Sequence, residues 1–172
     1  MDYKFCNIGG GATANPNAWY YSNDEETYGI DGTKKCGLLY NWPAAKYLED
    51  NKATLLPTGW HVPTRTEVFT LLNKVGGLNG TGGKTLKAID GSVIEDTWPS
   101  NWNGTDEHGF GMLPGGRYYN GAFQDGGTKA YIWTITDSDT NAHDFEFTSA
   151  AKMSTSLWPK YMACSLRLVK DV

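Results

Sequence analysis

The sequence predicts an α+β fold: two main helices packed on short antiparallel strands, joined by long ordered loops. Three observations carry this. Thr64 and Glu67 have the spacing of a Thr-x-x-Glu capping box, and Val68, Leu71, Leu72 and Val75 follow along one helical face. Pro43 opens a second apolar run through Ala44, Ala45, Tyr47 and Leu48. From Phe110 onward, the segments 131–135, 142–148 and 163–169 have the length and composition of strands. The 172 residues are enough for one domain with a core, so residues 1–172 form a single domain in this reading.

In chain order, residues 1–17 are rich in Gly and Asn and are expected to form a tail or an edge strand. Residues 18–42 hold Trp19, Tyr20, Tyr21, Tyr28, Leu38, Leu39, Tyr40 and Trp42, interrupted by a polar turn at 23–26. The first helix is expected to start at Pro43, taken as its N1 residue. Pro57, Gly59 and Pro63 pin the next loop, with Trp60 as its apolar anchor. The second helix spans about 65–75, with Lys74 in its last turn and Gly76 at the left-handed cap. A turn rich in glycine (Gly76, Gly77, Gly80, Gly82, Gly83) leads to a short helical piece over 84–89. Residues 90–109 form a long ordered loop in which Trp98 and Trp102 favour packing. In the last strand Cys164, Leu166 and Leu168 alternate with Ser165 and Arg167. The intervening segments, about 117–130, 136–142 and 149–162, are polar with scattered rings.

Composition narrows the function. The net charge is −4 without a basic cluster, which argues against a phosphate-tracking nucleic-acid binder. No run of 18 apolar residues predicts a membrane span. The start, MDYKFCNIGGG, lacks the charged-then-apolar pattern of a signal peptide, and localisation stays open, cell-surface or phage-associated display included. Cys6, Cys36 and Cys164 are odd in number and lack metal-ligand spacing. Free thiols are expected, with a bridge between Cys6 and Cys36 as the alternative.

Several motifs fail. GTGGKT at 80–85 lacks the upstream Gly of a phosphate loop, where Leu78 stands, and it follows a helix instead of a strand. No Gly-x-Ser-x-Gly elbow and no His-Glu-x-x-His occurs. His61 suits a structural hydrogen bond, His108 a solvated turn, and His143 an outer strand with nothing to orient it as a base. No catalytic residue, cofactor or metal is therefore expected, and the chain reads as a non-enzyme.

Four segments resemble the Fibrobacter succinogenes major paralogous domain, a bacterial family related to the C-type lectin fold. They are LLYNWPAAK at 38–46, PTGWHVP at 57–63, GTDEHGFGMLPGGRYYNGAF at 104–123 and SLRLVKD at 165–171. YIWTIT at 131–136 is similar to the family's aromatic strand. The match spans roughly residues 18–171 and implies a C-type-lectin-like fold. The family often carries Cys where this chain has Leu56 and Leu168, which implies an apolar contact in place of a disulfide if the two are neighbours. Calcium-dependent lectins of this fold carry Glu-Pro-Asn or Gln-Pro-Asp, absent here. Asn101, Trp102 and Asn103 only echo their Trp-Asn-Asp, and Asp137 and Asp139 are too few for a hard-cation site. The formylglycine-generating enzymes have a related fold but need reactive cysteines in a setting that none of these occupies.

What remains is a surface. Tyr118, Tyr119, Asn120, Thr134, Thr136, Asp137, Asp139, His143, Phe145, Ser149, Trp158, Tyr161 and Met162 fall on or beside the last strands, within about 117–168. Mixed Tyr, Trp, Ser, Asn and Asp is the composition of recognition surfaces. Trp133, inside an apolar run, is assigned to the core, and Trp158, beside Pro159, to the surface. The chain also resembles the variable proteins of diversity-generating retroelements, whose lectin-fold genes are rewritten at adenines. It departs from the family at Thr134, Ile135, Thr136, His143, Phe145 and 160–164, where such rewriting acts. The resemblance implies a receptor or adhesin with a protein ligand, a glycan being the alternative partner.

Overall fold

The computed structural model describes residues 18–20, 36–89, 98–99 and 104–171. Expectations for residues 1–17, for Tyr21, Tyr28 and the turn at 23–26, for Cys6 and its bridge to Cys36, and for Asn101, Trp102 and Asn103 lie outside the described residues, as do the side chains of Trp19 and Tyr20.

The chain has the expected α+β architecture. Strand β1 (Ala18–Tyr20) pairs antiparallel with β2 (Leu38–Asn41), which runs straight into helix α1 (Trp42–Asp50). The helix starts one residue before Pro43 because Asn41 is its N-cap: the Ala44 amide donates to Asn41 Oδ1 at 3.1 Å. Trp42, Ala44, Ala45 and Leu48 form its buried face. A short helix α2 (Lys52–Leu55) and a two-residue strand β3 (Trp60–His61) follow. Trp60 is half-buried, so it anchors its loop from the edge of the core.

Helix α3 (Arg65–Lys74) has both halves of the capping box. The Glu67 amide donates to Thr64 Oγ1 at 3.2 Å, and the Thr64 amide donates to Glu67 Oε2 at 2.8 Å. His61 has the structural role its loop position predicts: its ring nitrogens meet Glu67 Oε1 at 2.8 Å and Asp171 Oδ1 at 2.9 Å. Beyond α3, Gly76 takes φ +109°, and a Cβ there would lie 2.2 Å from Thr81 Oγ1, so only glycine fits. A π-helical turn (Gly77–Thr81) and helix α4 (Gly82–Leu86) fill the place of the expected piece at 84–89.

Seven strands complete the fold: β4 (Arg117–Tyr119), β5 (Ala122–Gln124), β6 (Ala130–Ser138), β7 (Asn141–Phe147), β8 (Ser154–Pro159), β9 (Ala163–Cys164) and β10 (Val169–Lys170). They form a five-stranded sheet in the order β1-β2-β9-β4-β5, a two-stranded ribbon β10-β3, and a meander β6-β7-β8. Two expectations need correction. The polar segments 117–130 and 149–162 contain β4, β5 and β8. The strand expected over 163–169 stops after Cys164, because the chain leaves β2 and β4 to bond to β6. Ser165 donates to the Tyr131 carbonyl at 3.0 Å and accepts from the Trp133 amide at 3.2 Å.

The meander lies between two cores. One face packs on α3 through Val68, Leu72, Ile132, Phe145 and Phe147, with Trp98 fully buried among them. Trp98 Nε1 donates to the Met112 carbonyl at 2.8 Å, and the buried Lys87 Nζ sits 5.0 Å from its ring centroid while donating to the carbonyls of Thr148 and Ala150. The other face holds Tyr131, Trp133, Ala142, Met162 and Cys164 against Trp42 of α1. Trp133 is fully buried, as its apolar run predicts.

Candidate functional site

Strand period decides what faces what. Ala142 lies opposite Trp158 and Asp144 opposite Ser156, so these four side chains share the meander face away from α3. His143, paired with Leu157, and Phe145 point to the α3 face. Across from the first face stands the β4–β5 hairpin. Its two turn residues, Asn120 and Gly121, have φ +51° and +79°, the left-handed pair that an Asn-Gly hairpin turn requires. That hairpin places Arg117 and Tyr119 on the inner side and Tyr118 on the outer side, where Tyr118 packs on Phe123 with ring centroids 4.9 Å apart.

Between the two elements an aromatic cluster forms around a guanidinium. Arg117 Cζ lies 4.4 Å from the ring centroid of Trp158, 4.8 Å from Tyr131 and 5.5 Å from Tyr119. Arg117 Nε donates to Gln124 Oε1 at 3.2 Å and lies 3.4 Å from Asp125 Oδ2, which accepts the Tyr131 hydroxyl at 2.6 Å. Burial and that carboxylate push the Tyr131 phenol far up, so it stays a neutral donor. Tyr119 meets Trp158 edge-on at 5.4 Å and stacks on Tyr161 at 5.7 Å with the planes 6° apart. The Tyr161 hydroxyl donates to Oδ1 of the exposed Asn120 at 3.1 Å. At the same end, Lys160 ties the β6–β7 turn to β8 by donating to Asp137 Oδ2 at 2.6 Å and to the Asp139 carbonyl.

Tyr119, Asn120, Trp158 and Tyr161 therefore form one patch, bordered by Asp137 and Asp139. Of the other sequence candidates, Met162 lies beneath it in the core on which Tyr119 and Trp158 pack, and the rest are not part of it. Thr134, Phe145 and Met162 are interior, contrary to the expectation of outward side chains. Thr134 Oγ1 donates to the His143 carbonyl at 2.9 Å, Phe145 packs edge-on against Phe69 at 5.3 Å, and Met162 fills the second core. His143 and Thr136 border the start of α3, where Thr136 Oγ1 accepts the Arg65 amide at 2.9 Å. Burial and the nearby Arg65 hold the His143 imidazole below its usual value. Ser149 is exposed in the β7–β8 connection, at the far end of that ribbon. Trp158, expected at the surface, is half-buried. Sequence reasoning missed Arg117. The Asn-Gly turn signal was present, and period-2 alternation from it puts Arg117 beside Tyr119.

Beneath the patch, Asp144 is fully buried. Its Oδ1 accepts the Ser156 amide at 3.0 Å, and its carbonyl accepts Thr155 Oγ1 at 2.6 Å. Among the described residues its Oδ2 has no hydrogen-bond partner, nor has Trp158 Nε1. Burial pushes the carboxyl up to about 7, helped by Glu146 and opposed by Ser156 and Arg117. The Cys164 thiol is pushed well above its usual value by complete burial, which keeps it protonated. Among the described residues no three His, Cys, Asp or Glu side chains gather as a metal site, and no helix is long and apolar enough to cross a membrane.

Fold and patch together describe an α+β domain with a braced aromatic surface on its β-ribbons. The model of the Fibrobacter succinogenes major domain matches residues 5–170, and the chain belongs to that family. No curated protein and no solved structure matches it.

Proposed function

We propose that this chain is a C-type-lectin-like binding domain, not an enzyme, that engages a protein ligand through Tyr119, Asn120, Trp158 and Tyr161. The observation that carries this is the stack of Tyr119 on Tyr161, locked by the Asn120 hydrogen bond and backed by Trp158 over Arg117. Rings fixed before contact lose little entropy on binding and offer both apolar area and hydroxyl groups. The C-type-lectin-like assignment rests on the family resemblance and agrees with two helices flanking a β meander. Retroelement diversification belongs to the same reading: Asp137 and Trp158 stand near the ends of β6 and β8, and Asp139 and Tyr161 in the turns beyond them, where replacement would alter the patch. Thr134, Phe145 and Met162, being interior, are poor sites for such rewriting.

The test compares the wild type with Tyr161→Ala and with Asn120→Gly, which keeps the left-handed turn. Both variants should melt within a few degrees of the wild type and lose capture of surface proteins that the wild type holds saturably. Capture unchanged in both variants would defeat the proposal. A glycan array probed with and without calcium separates the alternative partner: array binding that the variants lose would replace the protein ligand with a sugar. A neighbouring reverse-transcriptase gene, with a near-copy of the 3′ end differing at adenines, is the observation that the diversification reading requires.

A further inference from the structure

On the opposite face of the meander, away from the aromatic patch, lies a cavity of about 170 Å³. It sits between α3, the meander and the C-terminal segment, and its walls include Val68, Leu72, Ile132, Phe147, Met153 and Arg167. Protein interiors hold few voids larger than a water molecule. An apolar cavity of about 150 Å³ lined by Leu, Ile and Phe stays dry and accepts a benzene ring. The space here is of that size and its walls are of that chemistry, except for Glu67 and one side chain whose charge is not taken up.

That side chain is Arg167. Its guanidinium is half-buried, lies 5.3 Å from the Phe110 ring centroid and donates through Nη2 to the Gly111 carbonyl at 3.1 Å. Among the described residues no carboxylate forms an ion pair with it. Burial works against its charge, and Asp106 is the acid whose field supports it, although that side chain is already engaged by the Gly111 amide at 2.7 Å. Glu67 also borders the space, but its oxygens are taken by Thr64 and His61. A guanidinium has five N–H donors in a planar fork that matches a carboxylate. A partly withdrawn guanidinium that has no ion pair among the described residues, at the wall of a ring-sized apolar space, can serve as the charged half of a binding site.

We infer that this cavity binds a small aromatic monocarboxylate, with the ring among Leu72, Ile132 and Phe147 and the carboxylate on Arg167. The site is separate from the surface patch and does not depend on what that patch binds. The probes are sodium benzoate, toluene as its neutral counterpart, and sodium acetate as the anion without a ring. Benzoate should raise the melting temperature and shift the methyl resonances of Leu72 and Ile132. Toluene should bind at least about 10-fold more weakly, the usual worth of a charge-assisted hydrogen bond. Acetate should do neither. Arg167→Met should erase the preference for benzoate over toluene, and Leu72→Phe, which fills the space, should abolish binding of both. The wild-type comparison decides even if a variant fails to fold. No binding of benzoate, equal binding of toluene, or an equal shift with acetate would overturn the assignment.

Discussion

Replacing Asp144 by Asn tests the electrostatics beneath the patch directly. The carboxyl rises from an ordinary value of 3.8 to about 7 in the folded chain. Each pKa unit corresponds to about 1.36 kcal/mol, so a shift of about 3 units sets a ceiling of ~4 kcal/mol. The sign follows from proton uptake. Between the two values the folded state holds a proton that the unfolded chain has lost, so stability falls as pH rises. The full contribution is present below about pH 4 and is gone above about pH 7. At pH 5 the loss should be about 1.5 kcal/mol, and by pH 8 it should have levelled at no more than ~4 kcal/mol. Asn has no such titration and can keep the bond from the Ser156 amide. Its added N–H₂ is a buried donor that shifts the whole curve by a constant of about 1–3 kcal/mol. The measurement is urea denaturation of both proteins from pH 4 to pH 8, read as their difference, which cancels the other titrating groups. The wild type should lose ground to the variant steadily up to about pH 7. A flat difference, or one of opposite slope, would show that the carboxyl is solvated or paired.

Three further outcomes follow from named contacts. Trp158→Phe should change stability by no more than ~1 kcal/mol, because the indole N–H it removes has no partner among the described residues, whereas Trp98→Phe should cost about 1–3 kcal/mol by removing a buried hydrogen bond and leaving the Met112 carbonyl with the Ala88 amide alone; chemical denaturation of the pair compares them. Gly104→Ala should destabilise by several kcal/mol or prevent folding, since its Cβ would lie 1.8 Å from the Lys87 carbonyl oxygen and backbone cannot give way as a side-chain tip can; a melt no lower than wild type would refute the packing. Thr64→Ala should cost about 1 kcal/mol at pH 7. Glu67 is lifted by burial but held below its usual value overall by Thr64 and His61, so this cost should fade as pH falls through that lowered value; denaturation midpoints at pH 7 and pH 3 measure it.

Features whose cause is local were legible in the sequence. The capping box of Thr64 and Glu67, the α3 stripe and the left-handed Gly76 each depend on residues a few positions apart. Asn41 was harder to read because Pro43 drew the helix start to itself, although Asn two residues upstream is an equally good cap. Strands β4 and β5 were concealed by polar composition, and the stronger signal, Asn120 followed by Gly121, lay between them unused. The candidate patch was only partly legible, for a topological reason. Position along a strand assigns a side chain to one of two faces, but which face meets β4 depends on the packing of the meander. Hence Phe145 and His143, plausible by composition, turn toward α3, while Arg117, outside the expected set, sits at the centre of the rings.

Strand β9 enters the five-stranded sheet between β2 and β4, and β10 closes on β3, so partners as distant as Tyr40 and Cys164 must find one another. A chain emerging from the ribosome cannot complete either pairing until residues 163–170 are free. Contacts of such sequence separation make for slow folding and a vulnerable interval during synthesis. Shortened products that end before β9 would lack the wedge joining the two halves of the sheet, which makes the five-stranded sheet an all-or-nothing assembly that waits for residues 163–164.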